Sequence, residues 1–301
     1  MFKEYLEPEA HHEAFAYLQP GTVIDNYVIE RPLANGGFSS VYLARQLHDQ
    51  TQVVIKEYLP RKLAYRSWDN QITPHSEETK KKFSQGRRLF IEEAKMLATL
   101  KHPNIVEVVN FFRANTTVYM VMTYDYGKNL NWFMKNKPDK LTAEFLYFLC
   151  HKLLDALEAI HNHGFLHLDI KPENILIRPG GNPLVLDFGA ARPYPMPPNW
   201  KKPGKVRTPG YSPLEQFQAH GSIGPWSDLY ALGATLRACI DRKTPPSVTD
   251  RVNKDLLKPA LNRFQTNYPK GFLKAVDQAM KLAPEERPQT VADFRKLLES
   301  G

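Results

Sequence analysis

The sequence of 301 residues contains little cysteine and no long apolar segment. Only Cys150 and Cys239 are present, which is too few for a disulfide framework and fits a reducing compartment. We expect both to be packing residues. The longest apolar clusters, residues 118–122 and 145–150, are far shorter than the roughly 20 residues that cross a bilayer. We therefore expect no membrane segment and a cytoplasmic location.

Targeting signals are also missing. The first 20 residues contain four Glu and no apolar stretch of signal-peptide length. Neither a Gly at position 2 nor a C-terminal CaaX box is present. We therefore expect neither secretion nor a lipid anchor.

Acidic residues are absent from one segment, although the whole chain carries 40 Lys and Arg against 32 Asp and Glu. No acid lies between Phe188 and Leu214. The basic residues of that segment are Arg192, Lys201, Lys202, Lys205 and Arg207. The net charge of +8 permits nucleic acid, acidic lipid or acidic protein partners. Since no aromatic-basic motif is present, we expect no nucleic-acid partner.

The hydrophobic pattern changes along the chain. Five short runs rich in β-branched and aromatic residues recur between Tyr27 and Tyr126, which is typical of a small antiparallel sheet. One helical pattern interrupts them over about 78–100. Helices dominate afterwards, and Thr142 is the predicted N-cap of a helix that reaches residue 162. Thr290 to Asp293 matches the S/T-x-x-D/E capping pattern and predicts the start of a last helix. The pattern predicts an α+β fold with a β-rich lobe and a larger helical lobe.

Two charged residues of the first lobe form one candidate pair. Lys56 ends the strand-like run Val-Val-Ile-Lys, and Glu93 lies in the helical pattern. A buried lysine needs a carboxylate partner because an unpaired charge in a low dielectric is costly. The alternative is a surface lysine and a helix glutamate that never meet.

A second group of polar residues suits phosphate chemistry. Asp169, Lys171 and Asn174 lie within ten residues of one loop, and Asp187 follows the next apolar strand. Magnesium-assisted phosphoryl transfer needs a carboxylate that accepts a proton, a lysine, and oxygen ligands for a hard cation. The combination is much more specific than any of its members.

Taken in order, these motifs resemble those of the eukaryotic-type (Hanks-type) Ser/Thr protein kinases, and the sequence is similar to bacterial members. V-A-I-K corresponds to residues 53–56, the catalytic loop to 167–174, D-F-G to 187–189 and A-P-E to 213–215. The matches extend from about residue 27 to 298. The resemblance implies the two-lobed kinase fold, with a small antiparallel sheet and one main helix in the first lobe.

The resemblance also divides the chain. We expect an N-terminal extension over 1–22, an N-lobe over 23–124 and a C-lobe over 125–301. An insertion at about 60–80 accounts for the unusually long spacing between Lys56 and Glu93. Its polar sequence favours a surface loop, with a docking site for a regulator as the alternative. The extension is expected to be a tail rather than a docked helix.

The resemblance assigns roles to the second group. Asp169 would accept or orient the proton of the attacking hydroxyl, and Lys171 would steady the γ-phosphate. Asn174 and Asp187 would bind Mg²⁺. Thr208 would line the substrate pocket.

It likewise implies an ATP site, in which Lys56 contacts the α- and β-phosphates and pairs with Glu93. The expected ATP-binding residues are Leu33, Ala34, Asn35, Gly36, Gly37, Phe38, Ser39, Ser40, Val41, Val54, Lys56, Met122, Thr123, Tyr124 and Leu176. Of the family's three loop glycines only Gly36 is in place, because Ala34 and Ser39 occupy the outer positions. We therefore expect weaker or slower nucleotide handling.

One departure concerns regulation. Leu168 replaces the arginine that pairs with a phosphorylated activation loop in many relatives. The corresponding segment of this chain, Gly189 to Arg207, is called the activation segment below; it has no Ser or Thr, and Tyr194 is its only residue with a hydroxyl. We expect activity that does not depend on phosphorylation there, and the prolines to stiffen the segment.

The resemblance thus implies an ATP- and Mg²⁺-dependent protein kinase acting on Ser or Thr, with the basic segment favouring acidic stretches near the acceptor. The alternatives are a pseudokinase that senses nucleotide or acts as a scaffold, and a small-molecule kinase. Glu215, Arg287 and Asp228 resemble structural anchors of the family. His161, His163 and His167 could suggest zinc, but packing and loop hydrogen bonds fit their positions better. The oligomeric state is not indicated.

Overall fold

A computed structural model describes residues 17–196, 207–218 and 221–300. It divides the chain into two units, one formed by the chain up to Thr99 with Glu107–Asp125, the other by Leu100–Val106 with the chain from Tyr126 onwards. In the described ranges, no helix combines the length and apolar character needed to cross a membrane.

The first unit is built on an antiparallel sheet. Its strands are β1 (Val23–Ile24), β2 (Tyr27–Asn35), β3 (Ser39–Gln46), β4 (Gln52–Tyr58), β5 (Ala64–Arg66), β6 (Ile72–Pro74), β7 (Val108–Ala114) and β8 (Thr117–Thr123). Six of them pair in the order β1-β2-β3-β4-β8-β7, and β5 pairs with β6 alone. The five β-rich runs of the sequence are therefore strands, as predicted.

One face of this sheet forms a core. Side chains alternate along a strand, so every second residue points to the same side. Tyr42, Ile55 and Tyr119 are fully buried on that side. They pack with Leu18, which is also fully buried. The described end of the segment 1–22 is thus part of the unit and not a loose tail, whereas residues 1–16 lie outside the described ranges.

Helix α1 (Glu77–Thr99) accounts for the helical pattern of the first unit. Phe83, Phe90, Ala94 and Leu97 are buried at helical spacing. The first turn carries Glu77 and Glu78, and carboxylates stabilise a helix at this end.

The insertion is not a plain surface loop. Strands β5 and β6 form a hairpin in register from Ala64↔Pro74 to Arg66↔Ile72. The Arg66 side chain is fully buried, and Ala64 and Ile72 are buried too. A buried charge and two buried apolar residues explain why this polar sequence folds.

The second unit is mainly helical. Its helices are α2 (Leu130–Asn136), α3 (Ala143–Asn162), α4 (Leu214–Phe217), α5 (Pro225–Asp241), α6 (Val248–Asn253), α7 (Ala260–Phe264), α8 (Lys270–Ala279) and α9 (Val291–Glu299). The Thr142 side chain accepts a hydrogen bond from the backbone N–H of Phe145 and caps α3. Thr290 and Asp293 form the predicted capping box of α9. Both helix starts were therefore predicted correctly.

Short strands complete this unit: β9 (Lys128–Asn129), β10 (Phe165–Leu166), β11 (Ile175–Ile177), β12 (Pro183–Val185) and β13 (Arg192–Pro193). They form the sheets β12-β11-β9 and β10-β13. The loop between β10 and β11 carries Asp169, Lys171 and Asn174 of the second polar group, and Asp187 follows β12. Cys150 and Cys239 are buried, and burial raises the pKa of both thiols. The interpretation of the cysteines as packing residues is confirmed.

Candidate active site

Asp169 is the centre of a hydrogen-bonded cluster in the second unit. Its Oδ2 accepts from Lys171 Nζ at 2.6 Å and from Asn174 Nδ2 at 2.9 Å. Its Oδ1 accepts from Thr208 Oγ1 at 2.8 Å. Lys171 Nζ also donates to Thr208 Oγ1 at 3.2 Å. The structure therefore brings together four residues that the sequence assigned to this site, and the carboxylate is held in one orientation.

The backbone of this loop is fixed by a buried carboxylate. Asp228 accepts from the N–H groups of His167 at 2.9 Å and Leu168 at 2.7 Å, and lies 2.9 Å from His161 Nε2. Leu168 has a φ of 62°, a strained value for a branched side chain. Burial would raise the pKa of Asp228, but its hydrogen bonds and the nearby His161 keep that pKa below the usual value. The predicted anchor role of Asp228 fits this geometry.

His167 positions the catalytic loop from inside. Its Nδ1 accepts from the N–H of Asp169 at 3.2 Å, and its Nε2 lies 3.2 Å from the carbonyl oxygen of Leu186. Burial lowers the pKa of this imidazole. The neutral ring protonated at Nε2 satisfies both contacts.

The three histidines do not converge on a metal site. His161 contacts Asp228, and His163 Nδ1 lies 2.8 Å from the carbonyl oxygen of Ala159. In the part of the chain that is described, no three or more His, Cys, Asp and Glu side chains are grouped as a metal would require.

Asp187 and Asn174 lie on connected backbone. The N–H of Leu186 donates to the carbonyl oxygen of Asn174 at 2.8 Å, so the two residues are carried by adjoining segments. Asp187 is exposed and adopts a φ of 52°. Phe188 is buried with its ring centroid 4.6 Å from that of His167. The buried ring fixes the start of the segment that follows.

Lys56 and Glu93 meet in the first unit. Lys56 Nζ lies 3.0 Å from Glu93 Oε1, and the two side chains are 11% and 12% exposed. The Phe90 ring centroid is 5.6 Å from the same ammonium. The prediction that strand lysine and helix glutamate form a pair is confirmed, and the alternative is wrong.

The register places four expected ATP-binding residues on one sheet face. Val41 is opposite Lys56, and Val54 is opposite Met122. Because residues two apart on a strand share a face, Val54 and Lys56 point to the same side. Met120 is opposite Lys56 on the same face and is buried.

The remaining expected ATP-binding residues occupy strand ends and loops. Leu33–Asn35 end β2 and Ser39–Val41 begin β3, with exposed residues 36–38 between them. Thr123 is the last residue of β8, and Tyr124 follows it. Leu176 belongs to the second unit, on β11.

The predicted structural pair Glu215 and Arg287 is present. Arg287 Nη1 donates to Glu215 Oε1 at 2.7 Å and Nη2 donates to Oε2 at 3.2 Å. Ser227 Oγ donates to Glu215 Oε1 at 2.7 Å. The pair is buried and fully hydrogen-bonded, so it serves the fold rather than the chemistry.

Leu168 occupies the position at which many relatives carry an arginine that pairs with a phosphorylated loop. It is 3% exposed and belongs to an apolar cluster with Leu166, Ala190 and Ile223, against which Tyr194 packs. Tyr194 is only partly exposed, and its N–H donates to the carbonyl oxygen of Gly164 at 2.7 Å. The described part of the activation segment is therefore held by apolar contacts and backbone bonds.

The basic segment is only partly described. Arg192 is buried, and Arg207 donates to the carbonyl oxygens of Gln216 and Phe217 at 3.2 and 3.3 Å. The other basic residues and three of the prolines lie outside the described residues: Lys201, Lys202, Lys205, Pro197, Pro198 and Pro203. The preference of the basic segment for acidic substrates therefore stays a prediction.

Sequence reasoning missed a buried charge cluster beside Lys56. Glu57 accepts hydrogen bonds from Tyr42 at 2.8 Å and Tyr119 at 2.7 Å, and pairs with Arg66 of the insertion. The side chains of Glu57 and Arg66 are completely buried. A signal existed, because strand alternation places Glu57 on the core face with Ile55, where a carboxylate requires a partner.

Comparison with known sequences identifies relatives of this chain. The sequence profile of the protein kinase domain matches residues 27–299. The serine/threonine-protein kinase PLK4 of Danio rerio is 26% identical over 285 residues, which cover 93% of this chain and 28% of the relative. CBL-interacting protein kinase 1 of Oryza sativa subsp. japonica is 28% identical over 282 residues, covering 92% and 55%. The chain thus spans roughly a quarter to a half of these two relatives' lengths.

A solved structure, the apo form of PpkA-294, superposes with a TM-score of 0.83 at 32% identity and covers 94% of this chain and 99% of that one. The predicted α+β protein-kinase fold is confirmed by this match. The match to this structure, the profile match and the named relatives lead to the same conclusion. The chain belongs to the protein kinase family, among the serine/threonine kinases of the Hanks type.

Proposed function

We propose that this chain transfers the γ-phosphoryl group of ATP to Ser or Thr hydroxyls of proteins with the help of Mg²⁺. The observation that carries the proposal is the Asp169 carboxylate held by Lys171, Thr208 and Asn174. A carboxylate fixed in this way can orient a hydroxyl, because positioning supplies much of the rate enhancement in phosphoryl transfer.

The residues divide the chemistry between them. Asp169 accepts the hydroxyl proton while the hydroxyl oxygen bonds to the γ-phosphorus and the bond to the β–γ bridging oxygen breaks, releasing ADP. Lys171, 2.6 Å from Asp169, supplies a positive charge where negative charge develops. Thr208 donates to the other oxygen of Asp169 and thereby helps to fix the orientation of the carboxylate.

Asn174 and Asp187 fit a hard divalent cation. Both N–H bonds that Asn174 Nδ2 makes go to Asp169, which turns its amide oxygen away from that carboxylate. Asp187 is exposed and offers carboxylate oxygen. These are the donor atoms that Mg²⁺ prefers, and the ion would neutralise charge on the phosphates.

Lys56 and Glu93 fit the nucleotide role. The ion pair keeps the ammonium at the face that also carries Val41, Val54 and Met122, which suits a flat apolar base beside charged phosphates. The remaining ATP-binding assignments, from Leu33 to Val41 with Thr123, Tyr124 and Leu176, stay part of this proposal.

The proposal is tested by measuring the intact mass of the enzyme and of an acceptor protein after incubation with Mg-ATP. Two acceptor proteins are used, one acidic and one basic. We expect phosphate on acceptor or enzyme, reduced about 10²- to 10³-fold in Asp169→Asn because one charge-stabilising group is lost. Asp139→Asn, which removes an exposed carboxylate of the same unit, is the matched control and should match the wild type. Phosphate transfer that persists in Asp169→Asn would contradict the proposal. ATP binding without any transfer by the wild type would support the scaffold, and transfer to a small alcohol alone the small-molecule kinase.

We further propose that activity does not require phosphorylation of the activation segment. The apolar cluster of Leu168, Leu166, Ala190 and Ile223 supports this, because it holds the described segment without any phosphate. Treatment of the wild type with a phosphatase should leave its kcat within about twofold, and Leu168→Arg should show no gain in kcat, because the apolar contacts do not depend on a phosphate. Ile223→Val, a milder change in the same cluster, controls for packing. A large gain in activity for Leu168→Arg after phosphorylation would contradict this part.

A further inference from the structure

The insertion extends along the glycine-rich loop of the first unit. We name residues 34–39 the phosphate loop. The N–H of Leu59 donates to the carbonyl oxygen of Phe38 at 3.0 Å, and the N–H of Arg61 donates to that of Gly37 at 3.2 Å. Two bonds of a strand ladder therefore continue beyond the end of β4 and reach the tip of the phosphate loop.

The Arg61 side chain makes a second connection to the same loop. Its Nε and Nη2 both donate to Asn35 Oδ1, at 3.0 and 2.8 Å. The ring centroid of Tyr17 lies 5.6 Å from the guanidinium carbon. A planar fork that is stacked on an aromatic ring loses little freedom when it makes these bonds.

The segment that carries Arg61 is itself anchored. The hairpin that follows it is tied to the sheet by the buried pair of Arg66 and Glu57. The N–H of Ile72 donates to the carbonyl oxygen of Asn115 at 2.9 Å, at the turn between β7 and β8. Arg61 therefore connects the phosphate loop to a fixed support and not to another mobile loop.

We propose that Arg61 is a positioning residue that holds the phosphate loop ready for the phosphates of a nucleotide. This inference rests on the proposed function. Residues 33–38 are exposed, so an unsupported loop would have to be ordered whenever nucleotide binds. A loop that is held beforehand avoids that cost. The support compensates for Ala34 and Ser39, which stand where the family has glycine.

The test compares a nucleotide with its phosphate-free part. Calorimetric titration of Arg61→Ala should give Mg-ATP binding weakened about five- to tenfold, because the competent loop is less populated, and adenosine binding unchanged. Arg45→Ala is the matched control. Arg45 of β3 pairs with Glu30 of β2, the two strands that flank the phosphate loop, and its Nε donates to Glu30 Oε1 at 2.7 Å. This variant should bind both compounds as the wild type does.

A double-mutant cycle separates positioning from general damage. Asn35→Ala, at an exposed loop position, removes the same bonds from the other side and should weaken Mg-ATP binding similarly. In the Arg61→Ala background it should add little, because the two residues act through one contact. Arg61→Lys should restore part of the affinity. Equal weakening of ATP and adenosine, or fully additive effects, would overturn the inference. A wild type that binds adenosine and ATP with equal strength would overturn it too. A wild type that binds ATP normally but transfers no phosphate would overturn only the proposed function.

Discussion

Two ion pairs begin at neighbouring residues of β4 and differ in almost everything else. Lys56 pairs with Glu93 of α1, and both side chains keep about a tenth of their surface exposed. Glu57 pairs with Arg66 of the insertion, and both side chains are completely buried. Alternation along the strand sends the first pair to one face and the second to the other.

The difference between the pairs lies in what completes them. Glu57 receives hydrogen bonds from two tyrosines besides Arg66, so its charge is compensated within the protein. Burial would lower the pKa of Arg66, but Glu57 and the tyrosines raise it above the ordinary value. The Lys56 pair is closer to solvent, where the proposed nucleotide would reach the ammonium. Under the proposed function, adjacent residues of opposite charge therefore serve folding and chemistry separately.

The largest expected effect is on the buried pair. Arg66→Ala should lower the free energy of unfolding by about 3–5 kcal/mol, because it leaves the Glu57 carboxylate buried without its cation. Urea denaturation measures the change. The more exposed pair of Arg45 and Glu30 provides the control, since Arg45→Ala should lower the free energy of unfolding by less than about 1 kcal/mol. Similar small losses for both variants would show that burial does not distinguish the pairs.

The next effect is on activity. Lys56→Met should reduce kcat/KM for phosphate transfer about 10²- to 10³-fold, since it removes a charge that stabilises the phosphates. Steady-state kinetics measure it, and urea denaturation should show a smaller loss of stability than for Arg66→Ala. If Lys56→Met proved the more destabilising of the two, the division into a folding pair and a chemical pair would be wrong.

The smallest effect is the response to alkaline pH. Burial raises the pKa of Tyr42 and Tyr119, and the Glu57 charge adds to it. Above about pH 10 the unfolded chain loses phenolic protons that the folded chain keeps, so stability is complete below that pH and falls above it. The slope should be about 1.4 kcal/mol per pH unit for each tyrosine. The free energy of unfolding, measured from about pH 8 to 11, should fall less steeply in the double variant Tyr42→Phe and Tyr119→Phe than in the wild type. Equal slopes would mean that these phenols are not coupled to the fold.

Much of the architecture could be predicted from the sequence. Alternating β-branched runs located the five main strands, and the caps at Thr142 and Thr290 located two helices. Motif order predicted the cluster around Asp169 and the pair of Lys56 with Glu93. These features depend on local pattern or on short, ordered spacing, which a sequence displays directly.

The insertion could not be predicted in the same way. Its residues are polar by composition, and the contacts of Arg66 and Arg61 are made with residues 9 and 26 positions away. Whether a polar side chain in such a segment is buried depends on tertiary partners that no local pattern contains. Only the core-facing position of Glu57 indicated that a cation from another part of the chain had to pair with it.

The apolar cluster around Leu168 has a consequence for how the activation segment responds to its surroundings. The ion pair between an arginine and a phosphate is weakened by salt and is lost when a phosphatase removes the phosphate. Contacts among Leu168, Ala190 and Ile223 depend on neither, and they weaken on cooling instead. These contacts should therefore be insensitive to ionic strength and weaker in the cold, which is the opposite of an ion pair between an arginine and a phosphate.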